Sequence, residues 1–215
     1  MTTKYGVIVT DIQGCFTTWK NGSLAVPGSD EAYVKSVEVA TRLLKENGFF
    51  MVATQDWHPP DHISFASNHL GKKPLDTVEI SGRVQMLWPV HCVQGTADAE
   101  LLVDSSLFDA IIRKAQNPRF DSYSALEDDS GTKTGLDGVL HEHGVTSIVI
   151  FGLATDYCVK ATAIDLVRAG FKVVAVEQLS RGVAPDTSAQ AFKQMQEEGV
   201  RIMKDLAIEK IKSVM

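Results

Sequence analysis

A cysteine placed one turn into a helix, directly after a buried strand, has two things a nucleophile needs. Cys158 fits that description in Gly152-Leu-Ala-Thr-Asp-Tyr-Cys-Val, which follows the apolar run Ser147 to Phe151 and offers Thr155 as a helix N-cap. Free N–H groups in a first helical turn favour the thiolate and can hold the oxyanion of a tetrahedral intermediate. The competing reading is a buried, inert thiol, the commoner state of an arbitrary cysteine. Asp11 closes the apolar run Tyr5 to Thr10, where a carboxylate is costly to desolvate unless it is paired or its pKa is raised. It is either a base for a thiol or a loop cap. Lys114 ends Asp109-Ala-Ile-Ile-Arg-Lys and could pair with Asp11 and favour a thiolate at Cys158. Arg113 competes for that role, because strand alternation sends only one of the two toward a given face.

A second group of residues suits metal chemistry. Asp56-Trp-His-Pro-Pro-Asp-His supplies a carboxylate and two imidazoles, and Trp88-Pro-Val-His-Cys supplies a third imidazole. Asp56, His58 and His91, with His62 as a further candidate, make a divalent-ion set compatible with zinc, iron or manganese. The alternative is that His58 and His91 are hydrogen-bonded in a loop. Cys92 reads as a packing residue rather than a ligand, and His69, His141 and His143 read as surface residues.

These residues must be held by a common frame. Short apolar runs alternate with helical periodicity, the pattern of βα units winding a mostly parallel sheet. Strands are expected at Tyr5 to Thr10, Phe49 to Thr54, Ala110 to Arg113, Ser147 to Phe151 and Lys172 to Val176, with a weaker sixth at Val200 to Met203. Their unbroken apolar character suits burial on both faces. Helices are expected over Asp30 to Asn47, Leu136 to His143, Thr155 to Ala169 and Pro185 to Glu198, the last with Thr187 and Gln190 in capping-box spacing. The fold class is therefore α/β, doubly wound, with helices on both faces of a six-stranded sheet. Ligands bind beyond the carboxyl ends of strands in such sheets, and Asp11, the Asp56 segment, Lys114 and the Cys158 segment all follow strands.

At 215 residues and 44% hydrophobic composition the chain can bury one full core, so residues 1–215 are read as one domain with a metal-site and lid insertion around 56–95. A second long irregular stretch runs from Ala115 to Gly135. A net charge of -6 gives no electrostatic reason to expect nucleic acid or an anionic membrane as partner. No apolar run approaches the roughly 18 residues of a membrane span, and Asp11 interrupts any signal-peptide core, so a cytoplasmic protein is expected. Nothing argues against a homo-oligomer. Three widely spaced cysteines, Cys15, Cys92 and Cys158, argue against a disulfide framework and for reduced thiols. The turn after the first strand lacks the Gly-x-Gly-x-x-Gly of dinucleotide sites.

Taken together, these segments resemble the nicotinamidases of the isochorismatase-like cysteine hydrolase superfamily. The resemblance covers nearly the whole chain: Asp11-x-Gln13, Thr54-Gln-Asp-Trp-His-Pro with His62-Ile-Ser-Phe-Ala, Leu87-Trp-Pro-Val-His-Cys and Gly152-Leu-Ala-Thr-Asp-Tyr-Cys-Val. It implies a triad of Asp11, Lys114 and Cys158, metal ligands Asp56, His58 and His91, and His62 as a ligand or a supporting residue. It also implies Phe16 and Trp88 around a pyridine ring, Tyr123 and Tyr157 as pocket walls, and Ala154 with Cys158 as oxyanion donors, after a cis Leu153-Ala154 bond. The implied reaction is metal-dependent hydrolysis of nicotinamide to nicotinate and ammonia through a Cys thioester, with zinc foremost among metals and pyrazinamide as a further substrate. Two departures stand out: Gly14-Cys15 where Asn-Asp is usual, and Ala115 where Gly usually follows the lysine. Alternatives are a metal-independent amidase for ureido or carbamoyl substrates and a non-enzymatic, zinc-bound redox sensor.

Overall fold

Runs of Val, Ile and Phe with no polar alternation become the inner strands. The computed structural model describes residues 4–80 and 82–214. Its strands are β1 (Lys4–Thr10), β2 (Phe50–Asp56), β3 (Thr77–Ile80), β4 (Arg83–Met86), β5 (Ala110–Lys114), β6 (Val145–Gly152), β7 (Lys172–Val176) and β8 (Arg201–Met203). Six of them form one sheet in the order β5-β2-β1-β6-β7-β8, parallel throughout, and β3 and β4 pair as a separate antiparallel hairpin.

The helices are α1 (Glu31–Glu46), α2 (Leu136–Glu142), α3 (Lys160–Arg168), α4 (Pro185–Glu197) and α5 (Ile208–Val214). Strand alternation sorts the core into two layers. Val7 and Val9 of β1 pack with Val34, Val37 and Leu44 of α1 and Ile211 of α5. Ile8 between them packs on the opposite face with Leu140 of α2, Leu166 of α3 and Met195 of α4. Helices thus cover both faces, as expected. The α1 start is fixed by Asp30, whose carboxylate accepts from the Tyr33 N–H at 2.9 Å. No helix among the described residues is long and apolar enough to cross a membrane.

Three expectations are corrected. Helix α4 begins at Pro185 with no side-chain cap, and the Thr187 hydroxyl is turned to Asp156 instead of closing a capping box. Thr155 is not an N-cap but the first residue of a wide π turn, Thr155–Val159, that precedes α3. Of the three cysteines, Cys15 and Cys92 are joined as a disulfide with Cα atoms 5.7 Å apart, leaving Cys158 free. They lie 77 residues apart in sequence, on loops that converge only because the sheet brings the exits of β1 and β2 together. The β3–β4 hairpin and α5 were not foreseen; both are short, and the hairpin is largely solvent-facing.

Close approach of β6 to β1 sets the height of the nucleophile turn. Gly152 pairs with Thr10 and has φ +134°, and a Cβ there would overlap the Thr10 carbonyl oxygen. Both the conformation and the space exclude a side chain. Gly152→Ala is expected to cost about 2 kcal/mol or more, read as a lower urea midpoint with an unchanged slope.

Candidate active site

Four adjacent strands end on the same buried spot. Asp56 and Lys114 are the last residues of β2 and β5 and are register partners. Asp11 follows β1, and Cys158 follows β6 through Gly152, Leu153, Ala154 and the π turn. The Lys114 ammonium lies 3.1 Å from Asp11 Oδ2 and 3.4 Å from Cys158 Sγ, and also contacts Asp56 Oδ1. Its fourth neighbour is the Ser122 carbonyl oxygen at 3.1 Å. Lys114 is 1% exposed. Arg113 points the other way, lying over the Trp57 ring at 3.9 Å and donating to Gln55, so alternation along β5 decides between the two cations.

Charge in this cluster is strongly biased. Burial acts against the Lys114 ammonium, but Asp11 and Asp56 outweigh it and hold the pKa well above the usual lysine value. Burial raises the Asp11 carboxyl, with Lys114 opposing. Burial also pushes the Cys158 thiol well above its usual range; Lys114 opposes, while Asp11 and Asp56 push it further up. Burial and the two carboxylates thus favour the neutral thiol at rest, with Lys114 as the group that opposes them. Asp56 is different: burial acts to raise it, yet Lys114, His58 and His91 bring it well below the usual carboxylate range.

Asp56 also faces the histidines. The ligand atoms of Asp56, His58 and His91 lie within 4.8 Å of one another, and all three residues are buried. Both ring nitrogens of His58 are buried without a hydrogen-bond partner. Leaving a buried imidazole unpaired is costly, and an ion shared with Asp56 and His91 would satisfy it. His91 Nδ1 is held by the Pro89 carbonyl at 2.8 Å, which leaves Nε2 for a ligand. This donor set fits a divalent metal. His62 stands behind it: its ring centroid is 4.3 Å from that of His58, while Nδ1 meets Ser64 and Nε2 meets the Phe120 carbonyl.

The pocket above this floor has about 490 Å³ of empty volume including its mouth, and Asp56, His58, His91 and Cys158 all line it. Phe16 and Trp88 form walls, Phe16 with its ring 5.5 Å from His91. Trp88 Nε1 donates to the Tyr123 hydroxyl at 3.0 Å, and Tyr157 packs against both rings. Ala154 also lines the pocket, and the Leu153-Ala154 bond is cis. Asp11, Lys114 and Cys158 thus meet Asp56, His58 and His91 at one point, with Phe16, Trp88, Tyr123, Tyr157 and Ala154 around the pocket above and His62 behind it. His69, expected at the surface, is half-buried and bonds the Ile63 carbonyl, whereas His141 and His143 are exposed.

Several contributors escaped sequence reasoning. Leu24, Val26, Asp121 and Val183 line the pocket from loops with no periodic signal. Asp156 is buried and accepts the Val183 N–H at 3.0 Å, tying the nucleophile turn to that wall. Gln13, seen only as a motif letter, bonds both the N–H and the carbonyl of Asp56 at 2.8 Å. Backbone strain is concentrated here too: Asp11, Cys92 and Ala115 have φ of +50°, +46° and +54°. Ala115 holds this left-handed conformation with a Cβ, where a glycine would adopt it without strain.

Comparison with known proteins identifies the family and the fold. Residues 5–205 match the isochorismatase domain. A nicotinamidase of Acinetobacter baylyi is 44% identical over 199 residues, spanning 91% of this chain and 90% of the relative. The solved structure of an Acinetobacter baumanii nicotinamidase and pyrazinamidase superposes with a TM-score of 0.85 at 37% identity over the whole of both chains. That of a Pyrococcus horikoshii pyrazinamidase in complex with zinc does so at 0.79 and 34%, covering 94% of this chain and 99% of the other. The chain belongs to the isochorismatase family.

Proposed function

We propose that this protein is a nicotinamidase: a metal-dependent cysteine amidohydrolase that converts nicotinamide to nicotinate and ammonia, and hydrolyses pyrazinamide as well. The observation that carries the reading is the single pocket floor on which a thiol, its carboxylate partner and a three-residue metal set meet. A general cysteine amidase needs only the first two. The Asp56, His58 and His91 set is what selects a substrate with a ring nitrogen at a fixed distance from its amide.

Asp11 takes the Cys158 proton as the thiolate attacks the carboxamide carbon of a ring held between Phe16 and Trp88. Lys114 keeps its proton and stabilises the negative charge as it moves from Asp11 to sulfur and back. Backbone N–H groups of Ala154 and Cys158 hold the oxyanion. Asp11 then gives its proton to the leaving nitrogen, ammonia departs, and a thioester remains on Cys158. Water attacks the thioester while Asp11 accepts one of its protons, that proton returns to Cys158 as the C–S bond breaks, and the new carboxyl releases the other proton to solvent as nicotinate leaves. A zinc ion held by Asp56, His58 and His91 would accept the pyridine nitrogen, directly or through water. His62 supports the His58 ring from behind. The segment 56–95, within one domain spanning residues 1–215, covers the site, and the setting is the cytoplasm, in NAD salvage.

Ammonia release from nicotinamide tests the assignment. Cys158→Ala should lower kcat by about a thousandfold or more, and activity near wild type would sink the proposal. Benzamide, which lacks the ring nitrogen, should show a kcat/KM lower by about a hundredfold. Metal removal by chelation should abolish turnover, with recovery on adding one equivalent of zinc. The stripped protein should also be acid-sensitive. Burial, then the nearby His58, lowers His62 and His91 to about 4. The unfolded chain binds those protons first, near pH 6.5. Stability of the metal-free fold should therefore fall as pH drops from about 6.5 to about 4, measured as a declining urea midpoint.

A further inference from the structure

Seen without its lysine, the catalytic cluster is itself a set of cation ligands. The ligand atoms of Asp11, Asp56 and Cys158 lie within 4.8 Å of one another, all buried, and the Ser122 carbonyl faces the same point. Two carboxylate oxygens, a sulfur and a carbonyl oxygen around one position make a four-donor site of mixed hard and soft character, suited to zinc or cadmium. The Lys114 ammonium sits where such an ion would sit, within 3.4 Å of the sulfur and 3.1 Å of Asp11 Oδ2. That Asp11 oxygen is buried and has a charge contact but no hydrogen bond, so the lysine satisfies its charge and not its lone pairs.

We infer that Asp11, Asp56, Cys158 and the Ser122 carbonyl form a second divalent-cation site, separate from the Asp56, His58 and His91 set, and that the Lys114 ammonium occupies it in competition with a thiophilic ion. Asp56 joins the two. Its Oδ1 contacts Lys114, while its Oδ2 lies 3.6 Å from His58 Nε2, so one carboxylate can bridge two ions as in two-metal sites. Asp56 and Cys158 line the open pocket, which gives an ion a route in. On binding, a metal–sulfur bond forms, the S–H bond of Cys158 breaks, and the divalent ion takes over the charge of the displaced Lys114 ammonium, which gives up one proton to become a neutral amine. Both protons leave to solvent; no oxidant or reductant is needed. Excess zinc is then an inhibitor at the nucleophile itself, and Lys114 is the tethered cation that limits it.

The test is a titration of the metal-stripped full-length protein with cadmium, following ions bound per chain by equilibrium dialysis and the ultraviolet sulfur-to-metal charge-transfer band. Wild type should bind a first ion without the band and a second, weaker one with it. Cys158→Ser should keep one ion and lose the band, while His91→Ala should keep the band. Lys114→Ala should take the band-forming ion at least about tenfold more tightly and gain more Tm from it than wild type does. Wild type stopping at one ion with no band, or a band that survives Cys158→Ser, overturns the inference. The wild-type titration decides the matter even if Lys114→Ala does not fold.

Discussion

A fully buried lysine ammonium is the constraint around which the sheet ends are arranged. Removing a charge from water costs several kcal/mol, and the cost is recovered only with opposite charge and hydrogen-bond acceptors close by. Lys114 finds Asp11, Asp56 and the Ser122 carbonyl, each contributed by a different strand or loop. None of these groups could be buried on its own. The β5-β2-β1 order and the Asp56–Lys114 register are therefore conditions for the charges to balance, as well as consequences of apolar packing.

Asp56 carries that balance across to the histidines. One oxygen serves Lys114 and the other faces His58, so the nucleophile half and the metal half of the pocket share a residue. Its backbone is held rigidly. The Gln13 side chain bonds its N–H and its carbonyl and reaches the Ala99 carbonyl at 2.7 Å, anchoring the end of β2 to the loop after β1. The Cys15–Cys92 disulfide adds a covalent link between the segment that carries Phe16 and the segment that carries His91. Cys92 also accepts the His58 N–H through its carbonyl at 3.0 Å, so one residue steadies two of the three candidate ligands. Rigid support of this kind is what a metal set and a near-attack geometry require.

Much of this was legible in the residues. Buried parallel strands advertise themselves as unbroken apolar runs, and a carboxylate, a lysine or a cysteine directly after such a run is conspicuous because it must be paired. Asp11 stood out for that reason, Cys158 for its place at an expected helix start, and the histidines of Asp56-Trp-His and Trp88-Pro-Val-His as a metal-ligand set, whereas Lys114 was separated from Arg113 only by the family resemblance. Helix starts were less legible. Thr155 and Thr187 have the right residue type for a cap, yet one opens a π turn and the hydroxyl of the other is taken up by Asp156 and the Ala184 carbonyl.

The sequence by itself determined which groups are present and which strand ends present them, because strand period and burial are local properties written in residue type. Only the tertiary structure decided that Cys15 meets Cys92, that Lys114 and not Arg113 enters the site, and that Asp121, Asp156 and Val183 belong to the pocket at all. Those outcomes depend on strand order and register, which place residues more than a hundred positions apart at one point. The triad's chemistry follows from the same step: Lys114 is an ordinary surface cation type until four strands close around it and leave it no water.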